Sequence, residues 1–427
     1  MNLETARGVK DIEPRDKIIR NYVVRNLTEV FEKYGYSPFE TPIIERYDVL
    51  SAKGGAGKES DVMKETFKLT DQGKRRLGLR FELTLSFCRY IGMNPNLKMP
   101  FKRYEVGPVF RDGPIKLGRY RQFWQCDVDI VGTRSVVADA ELIFLALDCF
   151  RRLNLEAYLE VNNRKLLKAI IDYAGIQESK ANSVIISIDK LAKIGKSGVK
   201  IELIEKELSE KEIKKLFTAF DIEGSNKQKI NELRKILLSD LGKKALDETE
   251  ELFSYIENKD VIFNIALARG LGYYTGSIFE GFLKKSQITG SICGGGRYDN
   301  MIGDLLSTEK EYPATGISFG LDVITDALKC DNKQEQESLV KVYVIPIKTL
   351  KESLGIAQEL RRNNLNTDID LIGKGISKNL DYANALKIPY VLFVGPKELE
   401  INKVKLRDMK TGKEELLSVK QVIKQLL

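Results

Sequence analysis

Three polar residues spaced by two, Gln125, Asp127 and Asp129, end the run RQFWQCDVD, and three arginines, Arg111, Arg119 and Arg121, precede them closely. Residues two apart on a strand share a face, so an amide and two carboxylates would line one side of a sheet with guanidinium groups nearby. Such a face can serve as the floor for a charged ligand. A solvated outer face with surface ion pairs is the plainer alternative, but the arginines cluster within an otherwise apolar stretch, which favours the floor. The 427-residue chain contains no histidine. That excludes Ser-His-Asp and Cys-His relays, an H-E-x-x-H metal site and imidazole acid–base chemistry. Catalysis must rest on arginines, carboxylates, amides and tyrosines, with any metal held by oxygen. Phosphoryl and acyl-adenylate chemistry needs mainly positioned positive charge and matches this set.

The elements that would hold these residues can be read from periodicity. Tyr104, Val106, Val109 and Phe110 suit a strand, a polar loop with Gly113, Pro114 and Gly118 follows, and Phe123 to Asp129 forms the return strand. Residues 77 to 90, LGLRFELTLSFCRY, start as a strand and pass into a helix near Leu85, with Glu82 and Thr84 facing the same way. Between 260 and 303 strand character returns. There Gly294, Gly295 and Gly296 imply a backbone that something approaches closely, and a flat ligand beside Arg269, Tyr273 and Tyr274 is favoured over a bulge or turn. Residues 312 to 324 read as a glycine-rich strand leading into a helix. Near the N-terminus, Pro14 opens an amphipathic helix that Gly35 stops, and YSPFETPIIE follows as a short strand broken by prolines, as at a sheet edge or subunit contact. The run KGGAGKES at 53 to 60 fails as a phosphate loop, because Glu59 follows Lys58 and the upstream glycine is missing; a flexible loop is expected.

A chain of this length suggests two or three domains. With 43% hydrophobic and 30% charged residues it reads as soluble, and no apolar run approaches the ~20 residues of a bilayer span. The first residues lack the apolar core of a secretory signal, so a cytoplasmic location is expected. Five scattered cysteines without a C-x-x-C pair argue against a disulfide framework and a zinc knuckle. The net charge of +8 permits nucleic-acid binding without requiring it. Residues 163 to 244 hold helical patterns rich in Lys and Glu, read as an insertion. A polar linker at 329 to 338 precedes alternating strands and helices with a hairpin turning at Thr411 and Gly412, which indicates a compact α/β domain with a mainly parallel sheet. It carries no dinucleotide fingerprint and is read as a binding module.

FRDGPIKLGRYRQFWQ, at 110 to 125, resembles motif 2 of the class II aminoacyl-tRNA synthetases, in the wording of the histidyl-tRNA synthetase family. ALARGLGYYTGSIFE, at 266 to 280, resembles that family's own histidine-binding motif, and the resemblance extends over nearly the whole chain. It implies an α+β fold: an antiparallel-sheet catalytic domain over 1–328 with the insertion at 163–244, the linker, and an anticodon-binding-like α/β domain over 339–427. The N-terminal helix, strand and Pro42 would form motif 1, the homodimer interface, and KGGAGKES a lid over the histidine pocket. Glu82 would receive the substrate ammonium with Thr84 and Gln125. Asp129, Tyr273 and Tyr274 would read the imidazole, and Arg269 would touch both histidine and the α-phosphate. Arg111 would grip that phosphate from the other side, Arg119 the β/γ-phosphates, and Gly294, Gly295 and Gly296 would underlie ATP. Magnesium would arrive on ATP, with no protein-bound metal and no zinc. The implied reaction is histidine plus ATP to histidyl-adenylate, then transfer to tRNA-His, with the insertion on the acceptor arm, no editing domain and no membrane. Three positions depart from the pattern: Phe81 stands for proline, Gly272 for aspartate and Val323 for arginine. The last two favour an alternative, a silent relative that senses histidine or tRNA. The retained Arg111, Arg269, Glu82 and Gln125 and the C-terminal domain favour the active enzyme, and RGLGYYTG argues against another amino acid.

Overall fold

In the computed structural model, residues 3–52, 61–115, 120–268, 273–330 and 337–427 are described. The chain divides into two compact units, Met1–Lys10 with Val23–Cys330, and Asp11–Tyr22 with Asp331–Leu427. Strands in chain order begin with β1 (Ser37–Pro38), β2 (Ile44–Arg46), β3 (Lys68–Thr70), β4 (Arg76–Leu79), β5 (Phe101–Phe110) and β6 (Gln122–Val131). Then come β7 (Ala157–Asn163), β8 (Val261–Phe263), β9 (Ser277–Leu283), β10 (Cys293–Arg297) and β11 (Ala314–Gly320). The second unit holds β12 (Val342–Pro346), β13 (Thr367–Ile369), β14 (Tyr390–Val394), β15 (Val404–Asp408) and β16 (Glu414–Leu417).

The first unit is built on an eight-stranded sheet of order β1-β5-β6-β11-β10-β9-β7-β8. Its pairings are antiparallel except at the two edges, where β1 runs parallel to β5 and β8 to β7. The expected hairpin is its centre: β5 and β6 pair over ten residues in a register that sets Arg103 opposite Asp129 and Glu105 opposite Asp127. The proline-bearing strand β1 lies at the sheet edge, where a missing N–H costs no ladder bond. A smaller sheet, β2-β4-β3, carries the chain towards the helix Thr84–Met93.

The inserted helices begin at Arg164 and run on to Tyr255, eleven residues past the expected limit of 244. The helix Asp240–Tyr255 continues because Ala245, Leu246 and Leu252 stay buried along one face. Ser209 with Glu212, and Ser225 with Gln228, form reciprocal capping boxes that start two of these helices. One apolar cluster joins Phe87 and Ile91 of the helix Thr84–Met93, through Tyr274 and Tyr298, to Ile170, Leu216 and Phe217 of the insertion. The insertion therefore shares a core with the first unit's large sheet and the helix Thr84–Met93.

In the second unit the five-stranded sheet has the order β13-β12-β14-β15-β16. It is mixed rather than mainly parallel: β12 pairs in parallel with β13 and β14, whereas β14-β15 and β15-β16 are antiparallel. The short turn at Thr411 and Gly412, with Gly412 at φ 74°, leaves no room for a crossover between β15 and β16 and so forces the antiparallel hairpin. The helix Leu321–Cys330 takes in residues 329 and 330, the first two of the polar run expected to form the linker. Among the described residues no helix is long and apolar enough to cross a membrane.

Candidate active site

A partly open pocket lies over the middle of the large sheet. Gln125, Asp127 and Asp129 of β6 form its floor, as their alternation requires. Glu82 and Thr84 enter from the turn between β4 and the following helix. They are not neighbours on a strand: β4 ends at Leu79 and the helix begins at Thr84, so it is the turn into the helix that brings both to the pocket. Arg111 stands just past the end of β5, its Nε donating to the Phe81 carbonyl at 3.2 Å and its guanidinium 5.1 Å from the Phe123 ring. Tyr273 and Tyr274 form a wall with ring centroids 4.7 Å apart, and β10 and β11 add Gly294, Gly295, Gly296 and Ser318.

Beside the floor, where β5 sets Arg103 opposite Asp129 and Glu105 opposite Asp127, lies a buried ionic network. The Arg103 side chain is fully buried, with Nη2 2.7 Å from Asp129 Oδ2, Nη1 3.5 Å from Glu105 Oε2 and the guanidinium 4.4 Å from the Phe87 ring. These are ion contacts rather than aligned hydrogen bonds, since none of the three Arg103 nitrogens has a hydrogen-bond partner. Glu105 is in turn held by Arg80 Nη1 at 2.8 Å and by the backbone and hydroxyl of Thr41. The Tyr298 hydroxyl donates to Asp129 Oδ1 at 2.5 Å. Burial pushes the Asp129 carboxyl above its ordinary range despite Arg103 and Tyr298. A buried charge persists only when paired, and here Asp129 and Glu105 each have a cation against them.

The groups facing the pocket are different. Among the described residues, Glu82 Oε1, Gln125 Oε1, Asp127 Oδ1 and Asp129 Oδ2 are buried acceptors without a hydrogen-bond partner, the last in ion contact with Arg103. Glu82 Oε2 accepts only a long bond, 3.4 Å, from the Tyr273 hydroxyl. Burial raises Glu82 to about 7, against the lowering effect of Arg111 and Tyr273, and raises Asp127 to about 8, against Arg103. Unmet buried acceptors are expensive unless a ligand supplies donors. This arrangement suits a ligand with N–H groups and a positive charge at one end, close to a guanidinium able to bind a carboxylate or phosphate.

Of the residues expected at the site, Glu82, Thr84, Arg111, Gln125, Asp129, Tyr273, Tyr274, Gly294, Gly295 and Gly296 do line one pocket. Arg119, Arg269, Gly272 and the run 53–60 lie outside the described residues. Arg121 is not part of the floor; it is half-buried and pairs with Asp112 at 2.9 Å. The guanidinium that faces the carboxylates is Arg103, across the hairpin, which a reading along one strand passes over. The glycines also have a reason other than a ligand: a Cβ on Gly295 would come within 2.0 Å of the Gly316 carbonyl, and one on Gly296 within 2.5 Å of that of Ser277. Tyr298 and Ser318 were missed as well. In KRYE, spaced like QCDVD, lay a signal for Arg103 and Glu105; nothing in the local sequence marks Tyr298. Beyond the pocket, Asp322 Oδ2 accepts from the Trp124 backbone at 2.9 Å, tying the start of the last helix to β6 one residue before Val323.

Comparison with known proteins agrees with this geometry. The family model described as histidyl-tRNA synthetase matches residues 8–324, and that of the anticodon binding domain matches 341–427. Histidine–tRNA ligase 1 of Bacillus cereus (strain ATCC 14579) is 44% identical over 97% of each chain. The histidine–tRNA ligase of Clostridium tetani is 34% identical, over 98% of this chain and 96% of that one. The crystal structure of histidyl-tRNA synthetase from Nostoc sp. PCC 7120 superposes with a TM-score of 0.88 at 29% identity, covering all of both chains. An antiparallel-sheet catalytic unit of class II type, a C-terminal anticodon-binding domain and these matches lead to one conclusion: the chain belongs to the histidyl-tRNA synthetase family.

Proposed function

We propose that the chain is a histidine–tRNA ligase, which activates histidine with ATP to histidyl-adenylate and transfers the histidyl group to the 3′ end of tRNA-His. The observation that carries this reading is the unmet buried oxygen of Glu82 beside Arg111. An α-ammonium supplies the missing donors and the missing positive charge to Glu82, with Thr84 and Gln125 alongside. The substrate carboxylate and the α-phosphate then fall to Arg111, whose planar fork can hold two oxygens at once. Fixed positive charge at the phosphate under attack stabilises the transition state without any protein base. By family resemblance Arg269 reaches the same phosphate from the other side and Arg119 holds the β/γ-phosphates. Magnesium bound to ATP would supply further charge neutralisation there. The imidazole lies along the acidic floor towards Asp129, against Tyr273 and Tyr274.

Within this reading the catalytic domain ends with the helix Leu321–Cys330 and takes the inserted helices from Arg164 to Tyr255, and 339–427 meets the anticodon. The protein acts in the cytoplasm as a homodimer through the N-terminal helix, the edge strand β1 and Pro42 after it. The test is histidine-dependent exchange of labelled pyrophosphate into ATP by the purified full chain, with the other amino acids as controls. Exchange with histidine alone is expected. Absence of exchange with histidine still bound by calorimetry would favour the silent, sensing relative, for which Val323 in place of the motif 3 arginine is the specific argument.

A further inference from the structure

Ser318 lines the pocket without a role in the reading above. It stands in the middle of β11, whose register sets Gly316 opposite Asp129, Ser318 opposite Asp127 and Gly320 opposite Gln125. Residues directly opposite share a face, so Ser318 brings a hydroxyl to the floor between two positions that bring no side chain. On the other flank of β6, Gly107 of β5 stands opposite Gln125. Gln125 thus has a glycine on each side, and its amide reaches diagonally instead: Nε2 donates to the Ser318 hydroxyl at 2.6 Å.

That bond decides which way the amide faces. A glutamine amide is an acceptor at one end and a donor at the other. The Ser318 hydroxyl also hydrogen-bonds the Asp127 carboxyl, in the sense that favours its ionised form. A hydroxyl has one proton, and with that proton given to Asp127 its oxygen can only accept from Gln125. The donor end of the amide is thereby held towards Ser318. Oε1 is left at the pocket, buried and without a hydrogen-bond partner among the described residues. We propose that Ser318 is a positioning residue that holds the Gln125 amide with its oxygen, not its nitrogen, presented to the α-ammonium of the amino-acid substrate. Turned over, the amide would set N–H groups against that cation and its oxygen against a hydroxyl whose proton is already committed. The inference rests on the reading of Gln125 as part of the ammonium site.

The experiment measures histidine-dependent pyrophosphate exchange by the full chain for wild type, Ser318→Ala, Ser318→Thr and Ser318→Val. Imidazolepropionate, which keeps the ring and carboxylate of histidine but lacks the ammonium, serves as a competitive inhibitor. Threonine and valine have nearly the same shape and differ in the hydroxyl. Losing the hydrogen bond behind the amide should raise the histidine KM roughly 3- to 10-fold in Ser318→Ala and Ser318→Val, whereas Ser318→Thr should stay within about twofold of wild type. The KM for ATP and the inhibition constant of the analogue should move less than about twofold in every variant, because neither ligand meets Gln125 through an ammonium. General damage to the pocket would not spare the analogue. An unchanged histidine KM in both Ser318→Ala and Ser318→Val, equal weakening of histidine and the analogue, or no restoration by threonine would overturn the proposal while leaving the enzyme assignment standing. If wild type shows no exchange, that assignment falls, and calorimetric binding of histidine and the analogue to the same proteins decides the proposal by the same pattern. No binding of histidine to wild type would overturn both.

Discussion

Replacing Glu82 by glutamine should make the ligand-free protein more stable at pH 8 while removing its ability to hold an amino acid. Glu82 is 6% exposed, and one of its oxygens has no hydrogen-bond partner among the described residues. Burial raises its carboxyl from 4.5 to about 7, a shift that Arg111 and Tyr273 reduce but do not cancel. Because the folded value lies above the unfolded one, the folded chain holds a proton between them that the unfolded chain has released. The group's contribution to stability is therefore complete below about 4.5 and is lost as pH rises through about 7. At about 1.4 kcal/mol per pH unit, ionised Glu82 costs the empty fold about 3 kcal/mol at pH 8. Glutamine has nearly the same shape and no charge to desolvate. Glu82→Gln should thus exceed wild type by about 3 kcal/mol at pH 8, and the gap should close on acidification to about pH 4.5. Urea unfolding followed by tryptophan fluorescence suits the measurement, because Trp124 is the only tryptophan and lies in β6 of the same sheet. Saturating histidine should stabilise wild type and leave the variant unmoved. Equal stabilities at pH 8, or a gap of the same size at pH 4.5, would refute the view that Glu82 is an unpaired carboxylate awaiting an ammonium.

Three further outcomes follow from the same network. Arg103→Met should lower stability by about 3–5 kcal/mol in urea unfolding, because it strands Asp129 without its buried cation. Tyr298→Phe removes one hydrogen bond to a carboxylate and should cost about 1.5–3 kcal/mol, measured the same way. Gly295→Ala should destabilise by about 1–3 kcal/mol or more even without ligand, because its Cβ would strike backbone atoms of β11; an unchanged thermal midpoint would return that glycine to a role in ligand approach alone.

Much of the fold was legible because it rests on local regularities. Alternation over ten residues gave each strand of the β5-β6 hairpin its faces, and that alternation already put Gln125, Asp127 and Asp129 on one side. Ser209 and Ser225, each followed three residues later by a residue that caps in return, mark helix starts without reference to the rest of the chain. Other features depend on contacts that no local pattern encodes. Residues 329 and 330 look polar enough for a linker, yet they finish a helix whose buried face lies upstream. Alternating strands and helices suggest a mainly parallel sheet in the second unit, yet two of its four pairings, β14-β15 and the β15-β16 hairpin, are antiparallel.

The sequence by itself determined which chemistry was open to this protein: without histidine, the work falls to arginines, carboxylates, amides and tyrosines, and the alternation of β6 gathers several of them on one face. Only the tertiary structure decided which carboxylates are satisfied and which wait for a ligand. Asp129 receives its hydroxyl from Tyr298, 169 residues away, and Glu105 receives its cation from Arg80, just past the end of β4. Asp127, chemically identical to Asp129 and two positions from it, has no hydrogen-bond donor at Oδ1 among the described residues. Residue type sets what a side chain can donate or accept, whereas the partners it meets depend on contacts between distant segments, and burial makes the difference count by removing water as the alternative partner.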